Sequence, residues 1–365
     1  MIFTLPITVK DGAPLGYWLT PILADALSKQ IQEKGVLFYG KLGIRSPTSS
    51  QEDAFHGILD FLNLTCTRKP DSEFKDELLN LSEELCDRGV LESREQECYR
   101  CSCGCLELPV HIARFVKEKT FTRDGDSYIC KVCKKPGEIV RVTGDFLNVS
   151  LDWSLDSIHV YPEWYRGELR ELVRQLREQG IPLSRTRPTG LIQGRMNLDV
   201  EFVWSLIPLL LSRKHPNERI RLVVTNHVLR QAAIALLLAQ ATDPNLKADL
   251  IVLPCITHPG TLEKWDINRL IRLGFTGDLL RLMLLGSLGW QDKDALLYDA
   301  PASIEHRRFV LLKRRIQEAQ DGECGAVHYT PHEALRNLCQ QSIANGVKHV
   351  FNPERLNYSV LTGLF

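Results

Sequence analysis

The sequence lacks a net charge. Lys+Arg and Asp+Glu both number 45, so the formal sum is zero. A chain that wraps nucleic acid along its length is basic; that class is excluded, and only a local basic patch stays open. No stretch reaches the ~18 apolar residues that a membrane helix needs. The nearest runs, 202–211 and 232–241, read as buried core, and Pro208 interrupts the first. The opening segment Met1-Ile2-Phe3-Thr4-Leu5-Pro6 has no basic residues ahead of its apolar ones, so it does not read as a secretory signal. Internal repeats, low-complexity tracts, a P-loop and a Ser/His/Asp order are all missing. Asp199 and Glu201 have no neighbours in sequence that support acid–base work.

Hydrophobic residues make up 44% of the chain and charged residues 25%, which excludes a disordered or fibrous protein. At 365 residues the chain is long for one core, so two or three domains, or one domain with insertions, are expected. There are 11 cysteines. An odd count without a secretory signal points to the cytosol and reduced thiols.

Residues 1–8 are β-prone and end at Lys10-Asp11-Gly12, a strand followed by a turn. Residues 15–34 then carry Leu19, Ile22, Leu23, Ala26, Leu27 and Ile31 at helical spacing, and Gly35 stops that helix. Residues 36–39 form a second strand. Strand, turn, helix, strand is a βαβ opening and implies a parallel sheet. Helices are expected over 51–62, 73–87 and 165–179. Residues 145–157 read as irregular or strand-like. Apolar helices over 202–212 and 228–241 flank strands at 220–225 and 250–254. After Asp266 the pattern turns helical over 267–273, 278–288 and 302–319.

Six of the cysteines fall between Cys98 and Cys133. They read Cys98-x2-Cys101-x-Cys103-x-Cys105, then Cys130-x2-Cys133. Tetrahedral zinc takes four thiolate or imidazole ligands delivered by two tight turns. Cys130 and Cys133 make one such turn. Either Cys98 with Cys101 or Cys101 with Cys103 makes the other. The preferred ligands are Cys101, Cys103, Cys130 and Cys133, with Cys98 or Cys105 as substitutes. A structural metal suits a segment too short to build its own core.

The expected architecture is α/β: a doubly wound, Rossmann-like parallel sheet, split by a cysteine-rich zinc module and followed by a small helical domain. The boundaries are 1–97 and 141–255 for the two halves of the sheet domain and 98–140 for the zinc insertion. Residues 256–330 form the helical domain and 331–365 a short tail.

A strand ending in Leu5-Pro6, the Gly16 turn, a helix bearing Asp25, the split sheet and the cysteine module resemble the catalytic core of class I aminoacyl-tRNA synthetases over roughly residues 1–320. Two branches are echoed. Tyr99-Arg100-Cys101-Ser102-Cys103 after 79–89, and the stretch from Leu273-Gly274-Phe275 to Leu288-Gly289-Trp290, resemble glutamyl-type enzymes. Residues 164–185, with Gly180-Ile181-Pro182 and Ser184-Arg185, resemble methionyl-type enzymes.

The resemblance implies an ATP crevice, and the departures bear on its chemistry. The family's His-x-Gly-His turn corresponds to Pro14-Leu15-Gly16-Tyr17. Gly16 lets a backbone approach a nucleotide closely. Both histidines are gone, and Tyr17 offers one hydrogen bond without positive charge. The lysine-rich mobile loop corresponds to residues 257–264, where neither usual lysine stands; Lys264 in a shifted register, or His258, would supply the cation. Each lost transition-state donor typically costs ~10²–10³ in rate. Asn226-His227 stand where the family places a polar pair near the ribose, with a helix N-cap at Asn226 as the plain alternative.

His306, Arg307 and Arg308 with Lys313, Arg314 and Arg315 lie on one expected helix, either a solvated face or a tRNA contact. Trp153, Tyr161, Trp164 and Tyr165 either line an amino-acid pocket or belong to the core. About 45 residues follow Gln320, too few for an independent core, so no separate anticodon-reading domain is expected. The resemblance thus implies ATP- and magnesium-dependent activation of an amino-acid carboxylate for a non-translational acceptor, a carrier or small molecule. A catalytically silent ligand- or partner-binding relative is the alternative. tRNA is a disfavoured but not excluded acceptor, and no membrane partner is implied.

Overall fold

The computed structural model describes residues 1–10, 12–42, 46–103, 105–107, 121–147, 155–179, 191–193, 196–198, 200–243, 245–257, 265–286 and 294–296. The chain opens with two short strands in line, β1 (Ile2–Thr4) and β2 (Ile7–Thr8), then a 3₁₀ turn at Leu15–Trp18 and helix α1 (Leu19–Gln30). Next come β3 (Gly35–Gly40), α2 (Ser49–Phe61), β4 (Thr67–Pro70) and α3 (Lys75–Asp87). Thr48 caps α2 through a capping box with Gln51, satisfying two otherwise unpaired N–H groups.

An arm follows. Strand β5 (Leu91–Arg100) pairs antiparallel with β9 (Glu138–Leu147) over their full lengths. Between them lie β6 (Leu106–Glu107) and a hairpin of β7 (Phe121–Asp124) and β8 (Ser127–Cys130). The ribbon reaches beyond residues 98–140 at both ends.

The chain returns with β10 (Ile158–Tyr161), α4 (Tyr165–Gln179), a small hairpin of β11 (Leu191–Gln193) and β12 (Met196–Leu198), and helices α5 (Val200–Ser205) and α6 (Ile207–Lys214). Then come β13 (Ile220–Thr225), α7 (Leu229–Thr242), β14 (Ala248–Leu253) and β15 (Cys255–Thr257). The last described elements are α8 (Ile267–Arg272), α9 (Gly277–Gly286) and β16 (Asp294–Leu296), which pairs with β15. The expected helix over 302–319 lies outside the described residues.

The main sheet is parallel throughout, ordered β10-β14-β13-β1-β3 with β4 beyond β3 and β2 against the far end of β3. Phe3 faces Leu222 in register, so strands from before and after the cysteine arm are direct neighbours. Helices cover both faces, and this is why β3, β13 and β14 read as continuous apolar runs. Phe3, Phe38, Leu222 and Leu250 point into the core under α3, α6 and α7. Ile2, Leu37, Val223 and Ile251 point into the opposite core under α1, α2, α8 and α9. Period-two alternation of the strands feeds each residue to one side or the other. Strand order reverses between β1 and β13. In a doubly wound sheet that reversal opens a crevice beyond the carboxyl ends of the strands.

Candidate functional site

The crevice edge is built by three turns. After β2 the chain bends through Pro14, whose carbonyl accepts from the Tyr17 N–H at 2.9 Å. This places Gly16 and Tyr17 in the 3₁₀ turn that leads into α1. The Tyr17 hydroxyl donates to the Thr8 carbonyl. Burial raises the phenol pKa, so the group stays neutral. Lys10 Nζ lies 5.3 Å above the Tyr17 ring centroid.

The second turn follows β13. Asn226 and His227 occupy a 3₁₀ turn, and α7 begins at Leu229 with Val228 at its cap. Asn226 is therefore not the cap of that helix. Its Oδ1 accepts from the Cys255 thiol at 2.7 Å. His227 Nδ1 lies 2.9 Å from Thr225 Oγ1 and 3.6 Å from Cys255 Sγ.

The third turn follows β14 and carries Cys255. β15 runs beside the 3₁₀ turn of Gly16 and Tyr17, so all three turns border one edge of the sheet. Cys255 is absent from the sequence-based site. Its only local signal is the Pro254-Cys255 step after an apolar strand, and that reads as the strand's end. Gly16, Tyr17, Asn226 and His227 share this edge, whereas His258 and Lys264 lie outside the described residues.

Of the aromatic group, Tyr165 is buried in the core with Val160 and Leu169. Trp164 stacks on it at 3.7 Å. Tyr161, at the carboxyl end of β10, packs half-buried against the core under α1. Trp153 and the basic stretch 306–315 lie outside the described residues.

The cysteine cluster sits at the end of the arm. Cys101 follows β5, and Cys130 and Cys133 frame the turn after β8. The Sγ atoms of Cys101, Cys103, Cys130 and Cys133 all lie within 4.8 Å of one another. Cys101 and Cys133 are 3.0 Å apart, Cys103 and Cys130 3.6 Å. Tetrahedral zinc–thiolate bonds of about 2.3 Å place sulfurs about 3.8 Å apart, so this donor set fits a zinc ion. Cys98 is not one of the four; it is buried within β5, opposite Val140. Cys105 lies 3.4 Å from Cys103, at the margin.

The second turn closes by hydrogen bonds from Lys134 N–H to the Cys130 carbonyl and from Cys130 N–H to the Lys135 carbonyl, both 2.9 Å. It requires a left-handed residue, and Lys134 takes that role at φ 61°. A backbone hydrogen bond at Cys105 and nearby thiols push the Cys103 pKa down to about 6, whereas the Cys101 sulfur holds the proton on Cys133 and pushes it up to about 12. Among the described residues, only Phe121, Tyr99 and Tyr128 supply sizeable apolar packing around these cysteines. A metal would replace the missing core.

No family model and no curated protein matches the sequence. Solved structures do match. Mycobacterium tuberculosis methionyl-tRNA synthetase bound by methionyl-adenylate aligns at TM-score 0.63 and 12% identity, covering 100% of this chain and 88% of that one. A second complex of that enzyme with methionyl-adenylate gives 0.63 and 13%, covering 100% and 86%. Its apo form gives 0.57 and 13%, again over 100% and 86%.

The chain has a methionyl-tRNA synthetase-like fold.

Identity of this order carries the fold alone. Among the described residues no helix is long and apolar enough to cross a membrane.

Proposed function

We propose that this protein activates an amino-acid carboxylate with ATP, forming an adenylate for an acceptor outside translation. The observation that carries the reading is the synthetase-like fold along the whole chain, whose neighbours include methionyl-adenylate complexes. The crevice at the β1/β13 reversal is where a doubly wound sheet takes a nucleotide. In this reading Gly16 gives the nucleotide close access, and Asn226 and His227 face the ribose. Tyr17 holds the turn against β2. Lys264 or His258, with magnesium, offsets the phosphates. Zinc on Cys101, Cys103, Cys130 and Cys133 shapes the arm and takes no part in chemistry. The acceptor is a carrier or a small molecule, and the setting is cytoplasmic.

Amino-acid-dependent pyrophosphate exchange across a broad panel, non-protein amino acids included, tests this reading. Exchange with one amino acid class supports it. No exchange with any amino acid rejects it.

A silent ligand-binding relative is the second reading. It is favoured by the missing signature histidines and by the Tyr17 hydroxyl, which is committed to the Thr8 carbonyl. Calorimetry that detects no ATP affinity, with magnesium and amino acids present, selects it.

A further inference from the structure

Cys255 begins β15 one residue beyond Pro254, where the chain leaves the central sheet. It is half-buried. Its thiol donates to Asn226 Oδ1 at 2.7 Å, and Sγ lies 3.6 Å from His227 Nδ1. Thr225 Oγ1, 2.9 Å from the same Nδ1, fixes the ring edge beside the sulfur. A thiol, an imidazole and an amide carbonyl thus converge just beyond the carboxyl ends of the adjacent strands β13 and β14.

Two other described cysteines are held differently. Cys66 is buried, and burial pushes its thiol up to about 12. Cys98 is buried and pushed up to about 11 for the same reason. Such thiols are inert packing groups. A partly exposed thiol beside an imidazole is the arrangement that yields a nucleophilic thiolate.

We propose that Cys255 is an acyl acceptor built into the chain. The proposal rests on the adenylate-forming reading for its natural donor. The thiol hydrogen turns from Asn226 Oδ1 to His227 Nδ1, which takes the proton. The thiolate attacks the carboxyl carbon of the aminoacyl adenylate. A carbon–sulfur bond forms, the bond from that carbon to the phosphate oxygen breaks, and AMP leaves with the electron pair. His227 releases its proton to solvent. An amine or thiol acceptor then attacks the thioester and gives its proton to His227 as the thiolate departs; that proton returns to Cys255. No oxidant or reductant is involved. Asn226 and Thr225 are positioning residues. An internal thioester supplies the acceptor step without tRNA.

The full-length protein is treated with p-nitrophenyl acetate, which needs neither ATP nor amino acid, and acid-quenched samples are mapped by mass spectrometry. Cys255 is expected to be acetylated about 10²-fold faster than half-buried Cys86, with the adduct removed by neutral hydroxylamine, and His227→Gln is expected to slow it by about 10²-fold. Acetylation of Cys255 no faster than Cys86 overturns the proposal, and that comparison uses the wild type alone. A second arm supplies ATP, magnesium and the amino-acid panel. Pyrophosphate exchange with an aminoacyl mass on Cys255 supports the proposal; exchange without that mass overturns it. Fast acetylation without exchange supports the nucleophile and rejects the adenylate reading instead.

Discussion

Asp25 and Arg281 stand 256 positions apart and meet through a 2.9 Å ion pair inside the protein. Both are almost wholly buried. Asp25 also accepts from the Thr65 N–H at 2.6 Å and the Thr65 hydroxyl at 2.9 Å, and pairs with Lys29 at 3.0 Å. Arg281 donates further to the carbonyls of Leu62 and Asn63. The pair therefore ties α9 to α1 and to the turn between α2 and β4. Removing one partner leaves the other charge buried. Arg281→Met is expected to cost about 3–5 kcal/mol, read from urea unfolding. The Asp25→Asn, Arg281→Met double variant should lose less than the sum of the two singles.

The same pair sets a pH dependence. Burial alone raises the Asp25 pKa, but the Arg281 charge, Lys29 and the Thr65 hydrogen bonds outweigh it and hold the pKa below its usual value. A carboxylate with a depressed folded pKa contributes stability above its unfolded pKa and loses it as pH falls through the folded value. The stability gap between wild type and Asp25→Asn should therefore be full near neutral pH and shrink below about pH 4. Unfolding midpoints from pH 7 down to 3 check this. A gap that widens on acidification contradicts the charge assignment.

Much of the scaffold is written locally. Residues 1–8, 36–39, 220–225 and 250–254 are apolar and bounded by turns, and they become neighbours in one parallel sheet. The Cys130-x2-Cys133 spacing delivers two of the four clustered thiols. The arm is less legible. Leu91–Arg100 reads Leu-Glu-Ser-Arg-Glu-Gln-Glu-Cys-Tyr-Arg, and a two-stranded ribbon without an apolar face carries no period-two signal. Strand Ile158–Tyr161 is only four residues long. Cys255 gains its imidazole and amide partners from the turn after β13, 28 and 29 positions earlier, a juxtaposition that only the sheet creates.

Gly277 begins α9 where a side chain has no room. A Cβ there would lie 1.8 Å from the Phe61 carbonyl oxygen, which is rigid backbone at the end of α2. The gain in helix propensity from alanine is about 1 kcal/mol, smaller than the cost of separating packed backbones. Gly277→Ala should lower the thermal midpoint, whereas Gly57→Ala, on α2 with open space around it, should leave it equal or higher. Differential scanning fluorimetry compares the two. Equal effects would mean that α9 does not dock closely on α2.

Zinc binding discriminates between the cysteine pairings. Protein purified in metal-free buffer after zinc loading should hold about one zinc per chain. Cys130→Ser removes a ligand and should abolish that content. Cys98→Ser should leave it unchanged, because Cys98 is buried in β5 apart from the four. Elemental analysis reads both. Because thiolates must be deprotonated to bind, zinc should also be lost on acidification. Loss of zinc in Cys98→Ser with retention in Cys130→Ser would reverse the assignment.

Gly16 and Tyr17 occupy one turn and should respond differently. If the crevice admits a nucleotide, it must approach the turn between β2 and α1, and Gly16 presents no side chain there. Gly16→Val adds three carbons at that edge and should abolish ATP affinity measured by calorimetry. Tyr17→Phe removes a hydroxyl that donates to the Thr8 carbonyl. Its cost should appear in folding, at about 1 kcal/mol for one hydrogen bond, and ATP affinity should change little. Ring packing against Trp18, 5.3 Å away between centroids, survives the change. If Tyr17→Phe abolishes ATP binding at full thermal stability, the hydroxyl serves the ligand and its bond to Thr8 is a resting arrangement. If Gly16→Val binds ATP like wild type, the nucleotide does not use this turn.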